Sequence, residues 1–136
     1  NPLPRGHALI VPLLNPGQLI EGGRAQFGIP IELDLGQRGI RSIERIANGY
    51  LIVAGPPADT GSFVLFRWTG VSGDPAHRIP GADLGGLRPE ALFAIPGSER
   101  VQLLSDDGGI RIGGVECKKL PAGHQRFRGL TMEATP

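Results

Sequence analysis

The amino-acid sequence predicts an all-β fold built from antiparallel meander sheets. Apolar residues come in short runs of strand length, and residues that favour turns separate these runs. The chain has 22 glycines and 13 prolines, which we interpret as turn residues. No segment of ten or more residues has the apolar spacing of a helix. The 136 residues fit one domain, residues 1–136.

The first strand is predicted to lie at a sheet edge. The apolar run from Ala8 to Leu14 contains Pro12, which cannot donate a backbone hydrogen bond and therefore favours an edge or a bulge. Residues 15–17 then predict a turn. From residue 28 to residue 35 apolar and polar residues alternate, which predicts a half-exposed strand. One face of this second strand would present Ile29, Ile31, Leu33 and Leu35.

Residues 39–55 are predicted to form the central hairpin. An alternating run ends at Ile46, and Asn48-Gly49 is the strongest short signal for a hairpin turn. We expect a type I′ turn, because asparagine and glycine tolerate the positive φ that both of its central residues need. The returning strand, Tyr50 to Ala54, has no polar face and is therefore predicted to be an interior strand covered on both sides.

Residues 62–69 are predicted to form the third strand of this meander. Its two faces follow from the alternation of side chains along a strand. One face would hold Phe63, Leu65 and Arg67, and the other Val64, Phe66 and Trp68. A short outer strand is predicted near Arg78.

Residues 87–105 repeat the plan of the central hairpin. We align Glu90-Ala91-Leu92 with Glu44-Arg45-Ile46, which gives a repeat spacing of 46 residues. A period of about 40 to 50 residues that holds about four strands is typical of propeller blades. The sequence therefore predicts about two to three propeller-like blades, an incomplete propeller. A brief return at residues 110–112 and a last strand within residues 126–132 would follow.

Several runs, taken together, resemble a known family. They are RGHALIVPLLNP, GIRSIERIANGYLIVAGP, FVLFRWTG, RPEALFAIP and VQLLSDDG, with CKKLP and RFRGL near the end. The chain looks like the C-terminal part of a bacterial domain family of unknown function that is propeller-like. The resemblance covers nearly the whole chain and implies no established activity or catalytic residue. It implies that family members are longer and that this chain is a fragment of a longer propeller.

Charge and composition argue against several kinds of partner. The formal net charge is +1, whereas nucleic-acid and membrane-surface binders need a basic face of several charges. We therefore predict no nucleic-acid and no membrane partner. The single cysteine, Cys117, excludes an internal disulfide and a multi-cysteine zinc site. No cofactor is predicted, and the compartment stays open.

Most chemical motifs are absent or have a simpler interpretation. The sequence contains neither a G-x-S-x-G nucleophile motif nor a phosphate-binding G-x-x-x-x-G-K. Cys117 is interpreted as a passive thiol, with activation by the following lysines as the alternative. Residues 105–109 favour a hairpin turn over a calcium loop, because the alternating acidic spacing is missing. The three histidines are predicted to lie on the surface: His7, His77 and His124.

Glu44 and Glu90 form the candidate binding site, together with Arg41 and Arg88. The repeat places both glutamates at the start of an innermost strand, so we expect their carboxylates to converge. Converging carboxylates need a metal ion, an arginine or a shared proton between them. We predict an Arg–Glu network instead of a metal, in which Arg41 pairs with Glu44 and Arg88 with Glu90, or crosswise. No catalytic residue is assigned.

Three functions are consistent with these patterns. The preferred one is a non-catalytic binding or scaffold module for a protein or a small polar ligand. The alternative is a calcium-dependent propeller hydrolase, lactonase-like or phytase-like, with acidic residues at the channel mouth. The third is a purely structural interaction domain. Because unpaired strand edges promote association, we also expect a homo-oligomer formed through exposed edges, notably the one near Ala8 to Leu14.

Overall fold

The computed structural model describes residues 3–58, 60–82 and 84–134. Most of the regular secondary structure in these residues is strand, with little helix, which confirms the all-β prediction. The strands are β1 Ala8–Ile10, β2 Ile31–Leu33, β3 Gly39–Ile46, β4 Gly49–Gly55, β5 Val64–Trp68, β6 His77–Arg78, β7 Pro89–Ala94, β8 Arg100–Ser105, β9 Arg111–Ile112, β10 Val115–Glu116 and β11 Gly129–Glu133. The helices are α1 Pro16–Ile20 and three single 3₁₀ turns, Pro4–Gly6, Cys117–Lys119 and Ala122–His124.

The strands form antiparallel sheets that follow the order of the chain. β3, β4, β5 and β6 form a four-stranded meander, and β7, β8 and β11 form a three-stranded sheet with β8 in the middle. β1 pairs with β2, and β9 pairs with β10 in a small hairpin. The predicted last strand is confirmed as β11, whereas the brief return at residues 110–112 pairs with β10 instead of β8.

The central hairpin is confirmed, but its turn differs from the predicted one. Ile46 and Gly49 close the ladder, so the chain reverses over Ala47 and Asn48. Among the described residues of this hairpin, Gly49 (φ 116°) has a positive φ and no non-glycine residue does. The type I′ prediction is therefore wrong, because Asn48 would also need a positive φ. A Cβ at Gly49 would collide with the carbonyl oxygen of Trp68, so the close approach to β5 requires glycine.

The four-stranded sheet is covered on both faces, as predicted for an interior strand β4. Residues 51–54 of β4 are fully buried and point alternately to two apolar clusters. One cluster joins β4 and β5 to the β1–β2 sheet and contains Ala8, Leu33, Leu35, Ile52, Ala54, Val64, Phe66 and Trp68. The other joins them to β7 and β8 and contains Leu51, Val53, Leu65, Leu84, Leu92, Val101, Leu103 and Ala134. The predicted faces of β5 are confirmed by this division.

The first two strands are shorter than predicted. β1 ends at Ile10, before Pro12, and the chain beyond it makes only an isolated bridge between Leu13 and Phe27. β2 starts at residue 31, and Ile29 is 85% exposed instead of facing the core. The alternation of residues 28–35 therefore overestimates the strand, because a strand extends only as far as its partner pairs with it.

Candidate functional site

The candidate site lies at two β-bulges, one in each hairpin. The pairing register shifts between Ile40 and Ser42 in the first hairpin and between Pro89 and Ala91 in the second, so Arg41 and Glu90 are the extra residues. These two residues occupy equivalent positions of the two hairpins, 49 residues apart. The predicted alignment of Glu44 with Glu90 is therefore wrong by three residues. The similar local sequence around the two glutamates favours that alignment, whereas the ladder pairing of the two hairpins makes Arg41 equivalent to Glu90.

Arg41 reaches across from β3 to β7. Its Nη1 lies 3.2 Å from Oε1 of Glu90, and its Nη2 donates to the carbonyl oxygen of Pro56. Its Cζ lies 6.0 Å from the centroid of the Phe63 ring. The crosswise pairing with Glu90 is thus present, and Arg41 pairs with Glu90 instead of Glu44.

Gly55 makes room for this arginine. A Cβ at Gly55 would lie 2.8 Å from Cγ of Arg41 and 2.7 Å from Cε1 of Phe63, closer than such atoms can approach. The Nε of Arg41 is buried and has no hydrogen-bond partner within the described chain. The guanidinium is therefore held in one position by the bulge, by Gly55 and by its two acceptors.

A polar cleft of ≈ 190 Å³ opens beside this pair, where β3 and β7 begin. The backbone N–H of Arg88 donates to Oγ of Ser105 at 2.9 Å, and the Arg88 carbonyl accepts from the N–H of Asp106 at 2.8 Å. These bonds join the residue before β7 to the end of β8 beside the cleft. The structure thus brings three of the four predicted residues together. The lining side chains are Arg41, Ala58, Phe63, Arg88, Glu90 and Asp106.

Glu44 has a different place. Its Oε1 accepts a hydrogen bond from the backbone N–H of Ala94 at 2.9 Å, at the far end of β7 from Glu90. Four residues of a strand span about 13 Å, at about 3.3 Å each. The predicted convergence of the two carboxylates is therefore wrong, and Glu44 links two sheets instead of lining the cleft.

Three contacts show how β3 and β7 lie against each other. Arg41 contacts Glu90, Oγ of Ser42 accepts from the N–H of Leu92 at 3.0 Å, and Glu44 accepts from residue 94. Residue numbers rise together along both strands, so β3 and β7 run in the same direction. β7 is an edge strand of its sheet, so the backbone N–H groups on its outer side have no partner strand. The side chains of Ser42 and Glu44 accept hydrogen bonds from two of these groups.

The remaining sequence-predicted residues lie outside the cleft. Cys117 is buried, and its Sγ lies 3.2 Å from both the carbonyl oxygen and the N–H of Arg126, which fits a passive thiol. Nδ1 of His7 lies 3.5 Å from the Glu32 carboxylate, and His77 is exposed. Within residues 3–58, 60–82 and 84–134, no three His, Cys, Asp or Glu side chains come together in a group that could hold a metal ion.

Sequence reasoning missed an ion pair that has a buried carboxylate, the pair of Asp107 and Arg128. Asp107 is 5% exposed, and its Oδ2 accepts from both Nε and the backbone N–H of Arg128 at 2.8 Å. Its Oδ1 accepts from Nη2 of Arg128 at 2.8 Å and from Oγ of Ser105 at 2.7 Å. These bonds, above all those from Arg128, hold the pKa of Asp107 well below its usual value. The pair anchors the segment before β11 to the end of β8.

Comparison of the chain with protein-family models, with curated proteins and with solved structures found no match. The resemblance to a propeller-like family therefore stays a prediction. In the part of the chain that the structure describes, no helix is long and apolar enough to cross a membrane.

The Arg41–Glu90 pair is expected to couple the two sheets energetically. In a double-mutant cycle with Arg41→Ala and Glu90→Ala, we expect a coupling of about 0.5–1 kcal/mol, because the pair is partly shielded from water. Urea unfolding of the four proteins measures it. The Arg100–Glu133 pair, 3.8 Å apart with both side chains more than half exposed, is the control and should show almost no coupling. Equal coupling in both cycles would contradict a special role of the cleft pair.

Proposed function

We propose that this protein is a non-catalytic binding or scaffold module built from propeller-like blades, and that the polar cleft is its binding site. The observation on which this rests is the Arg41–Glu90 pair, which joins two successive sheets at equivalent bulges and forms one wall of the cleft. The ligand would be a small polar molecule or a polar loop of a protein.

The arrangement of the sheets supports the propeller-like part of the proposal. The β1–β2 sheet, the four-stranded sheet and the three-stranded sheet pack face to face in chain order. In the four-stranded sheet the first strand, β3, is an edge strand, and in the three-stranded sheet the first strand, β7, is an edge strand. β3 and β7 lie side by side and run in the same direction. Blades arranged around a central axis have this relation. On this basis, β3 and β7 are the innermost strands of two blades.

The chemistry of the cleft supports binding of a ligand with charges of both signs. Arg41 and Arg88 line it together with Glu90 and Asp106, and the Phe63 ring adds an apolar surface. A zwitterionic or strongly polar group can place an anion near the guanidinium groups and a cation near the carboxylates. The held position of Arg41 lowers the entropic cost of binding, since the side chain is ordered beforehand.

The positions and partners of the Glu44 and Glu90 side chains favour a binding module over a calcium-dependent hydrolase. Glu90 pairs with Arg41, and Glu44 accepts a backbone hydrogen bond. A calcium ion needs several oxygen ligands around it. The two carboxylates lie at opposite ends of β7 and would have to move to reach one ion. The hydrolase alternative therefore requires a rearrangement that the binding module does not.

Titrations test both functions. With free arginine or glutamate as zwitterionic probes, we expect NMR shifts of the Arg41 Nε–H and of backbone amides around the cleft, and their loss in Arg41→Ala. With millimolar calcium we expect no calorimetric heat, no change in melting temperature, and no hydrolysis of a lactone or of phytate.

The control variant is Glu21→Gln, which changes an exposed carboxylate at the end of α1 that does not line the cleft. A calcium-induced rise in melting temperature that persists in this control but disappears in Glu90→Gln would favour the hydrolase. If neither probe shifts the cleft signals, the binding proposal fails and the structural domain is left.

A further inference from the structure

Asn48 occupies the tip of the central hairpin, between β3 and β4. Its side chain is exposed, and so is that of Ala47 before it. In the described part of the chain, the side-chain amide of Asn48 has no hydrogen-bond partner. Ile46 and Gly49 form the last pair of the ladder, and the end of a ladder opens at little cost in free energy. The amide can therefore move relative to the backbone that follows it.

Gly49 supplies the atom with which this amide can react. Glycine has no side chain to shield its backbone nitrogen, so this nitrogen can approach Cγ of the preceding asparagine. The fold cannot exchange this glycine for another residue, because a Cβ there would collide with the carbonyl oxygen of Trp68. The close approach to β5 thus keeps a reactive Asn-Gly pair in the turn.

The two other asparagines of the chain, Asn1 and Asn15, are each followed by proline. The nitrogen of proline carries no proton to lose, so it cannot close a ring onto the asparagine side chain. Asn15 is also held in place, because its Nδ2 donates to the carbonyl oxygen of Arg24 at 2.9 Å and its Oδ1 accepts from the N–H of Gln26 at 2.7 Å. Asn48 differs from Asn15 both in its neighbour and in the freedom of its amide.

We propose that Asn48 is a self-modification site, at which the Asn-Gly pair deamidates without an enzyme and turns the hairpin tip acidic. The backbone nitrogen of Gly49 loses its proton and forms a bond to Cγ of Asn48, while the bond from Cγ to Nδ2 breaks and ammonia leaves with that proton. Water then opens the resulting succinimide ring. Opening at Cγ gives aspartate, and opening at the backbone carbonyl carbon gives isoaspartate, in which the main chain runs through Cβ.

The new carboxylate would lie at a cavity of ≈ 190 Å³ between the turns of the two hairpins. Asn48 lines this cavity together with Arg45, Arg100 and Glu99. The two guanidinium groups can pair with a carboxylate, so an aspartate at the tip is compatible with the fold. Isoaspartate adds a carbon atom to the main chain of the turn and should therefore weaken the last pair of the ladder. The proposal is independent of the polar cleft.

The test incubates the intact protein at neutral pH, once folded and once unfolded in urea, and then digests it with trypsin. Cleavage after Arg45 and Arg67 releases residues 46–67, which contain Asn48. Mass spectrometry measures the change of the amide to an acid, and labelling by an isoaspartyl methyltransferase measures isoaspartate. We expect Asn48 in the folded protein to convert at no less than about a tenth of its rate in urea, because the ladder end opens easily.

The same digest contains an internal control, since cleavage after Arg5 and Arg24 releases residues 6–24 with Asn15 inside. Asn15 should keep its amide in both samples. Conversion of folded Asn48 below the stated limit would show that the turn protects the pair and would overturn the proposal. Equal loss of amide at Asn15, or acid at Asn48 without isoaspartate, would mean direct hydrolysis without a ring and would also overturn it.

Asn48→Gln is the matched variant, because it keeps the amide at the tip but would need a larger ring to lose it. We expect its amide to stay intact over an incubation in which Asn48 of the wild type converts. Conversion of the glutamine at the rate of Asn48 would contradict attack by the nitrogen of Gly49.

Discussion

Replacing Leu103 with alanine is expected to lower the free energy of unfolding by about 2–5 kcal/mol. The Leu103 side chain is fully buried, in the cluster that holds β8 against Leu51, Val53 and Leu65. Truncation removes apolar contact and leaves a cavity, and the two hydrogen-bonded sheets on either side can close it only partly. Urea unfolding followed by the fluorescence of Trp68, the single tryptophan, measures the loss.

The adjacent leucine provides the control for this prediction. Leu104 points to the other face of β8 and is only partly buried. Leu104→Ala should therefore cost about 1 kcal/mol or less. Equal losses for the two variants would contradict the packing of β8 on the four-stranded sheet.

The sequence was sufficient to predict the elements whose signals are local. Residues 50–54 are all apolar except for the tyrosine hydroxyl, and such a run has no stable position except inside a sheet covered on both faces. The faces of β5 follow from its alternation in the same way. The hairpin of β3 and β4 follows from the turn residues at Asn48-Gly49. Each of these depends on residues that are neighbours in the chain.

The relation between the hairpins was not predictable from the same patterns. A bulge changes the register by one residue and leaves the apolar alternation on both sides intact. Because both hairpins carry the bulge at the same ladder position, the bulge itself does not shift their alignment. The similar local sequence of two glutamates favours the alignment of Glu44 with Glu90, and only the ladder pairing shows that Arg41 is equivalent to Glu90. The Arg41–Glu90 pair appeared only as one of the alternatives. Sequence patterns placed three residues at the cleft but assigned Glu44 to it wrongly.

The ion pair of Asp107 had no local signal at all. Asp107 and Arg128 are 21 residues apart, and the β9–β10 hairpin lies between them. The turn residues around Asp107 suggest an exposed loop, whereas the carboxylate is buried. Only the return of the chain to β8 brings the two side chains together.

Replacing Asp107 with asparagine is the second change with a large expected effect. We expect a loss of about 2–3 kcal/mol in the free energy of unfolding at neutral pH. An amide cannot accept from all of the donors that surround the carboxylate, and its N–H groups would face the guanidinium. Breaking a fully buried ion pair costs about 3–5 kcal/mol. The Arg128 side chain is 46% exposed, so water screens part of the effect.

The size of this loss should depend on pH, because the pKa of Asp107 is lowered from 3.8 in the folded protein, mainly by its hydrogen bonds to Arg128. A carboxyl group with a lowered folded pKa stabilises the fold above its unfolded pKa and loses this effect as pH falls through the folded pKa. The difference in the free energy of unfolding between wild type and Asp107→Asn should have its full size at pH 7 and shrink below about pH 4.

Urea unfolding at several pH values measures this difference. Asp106→Asn is the control, since Asp106 is exposed and its side chain accepts one backbone hydrogen bond, from the N–H of Gly108. A difference that stays constant down to about pH 2 would mean that shape and not charge makes Asp107 stabilising.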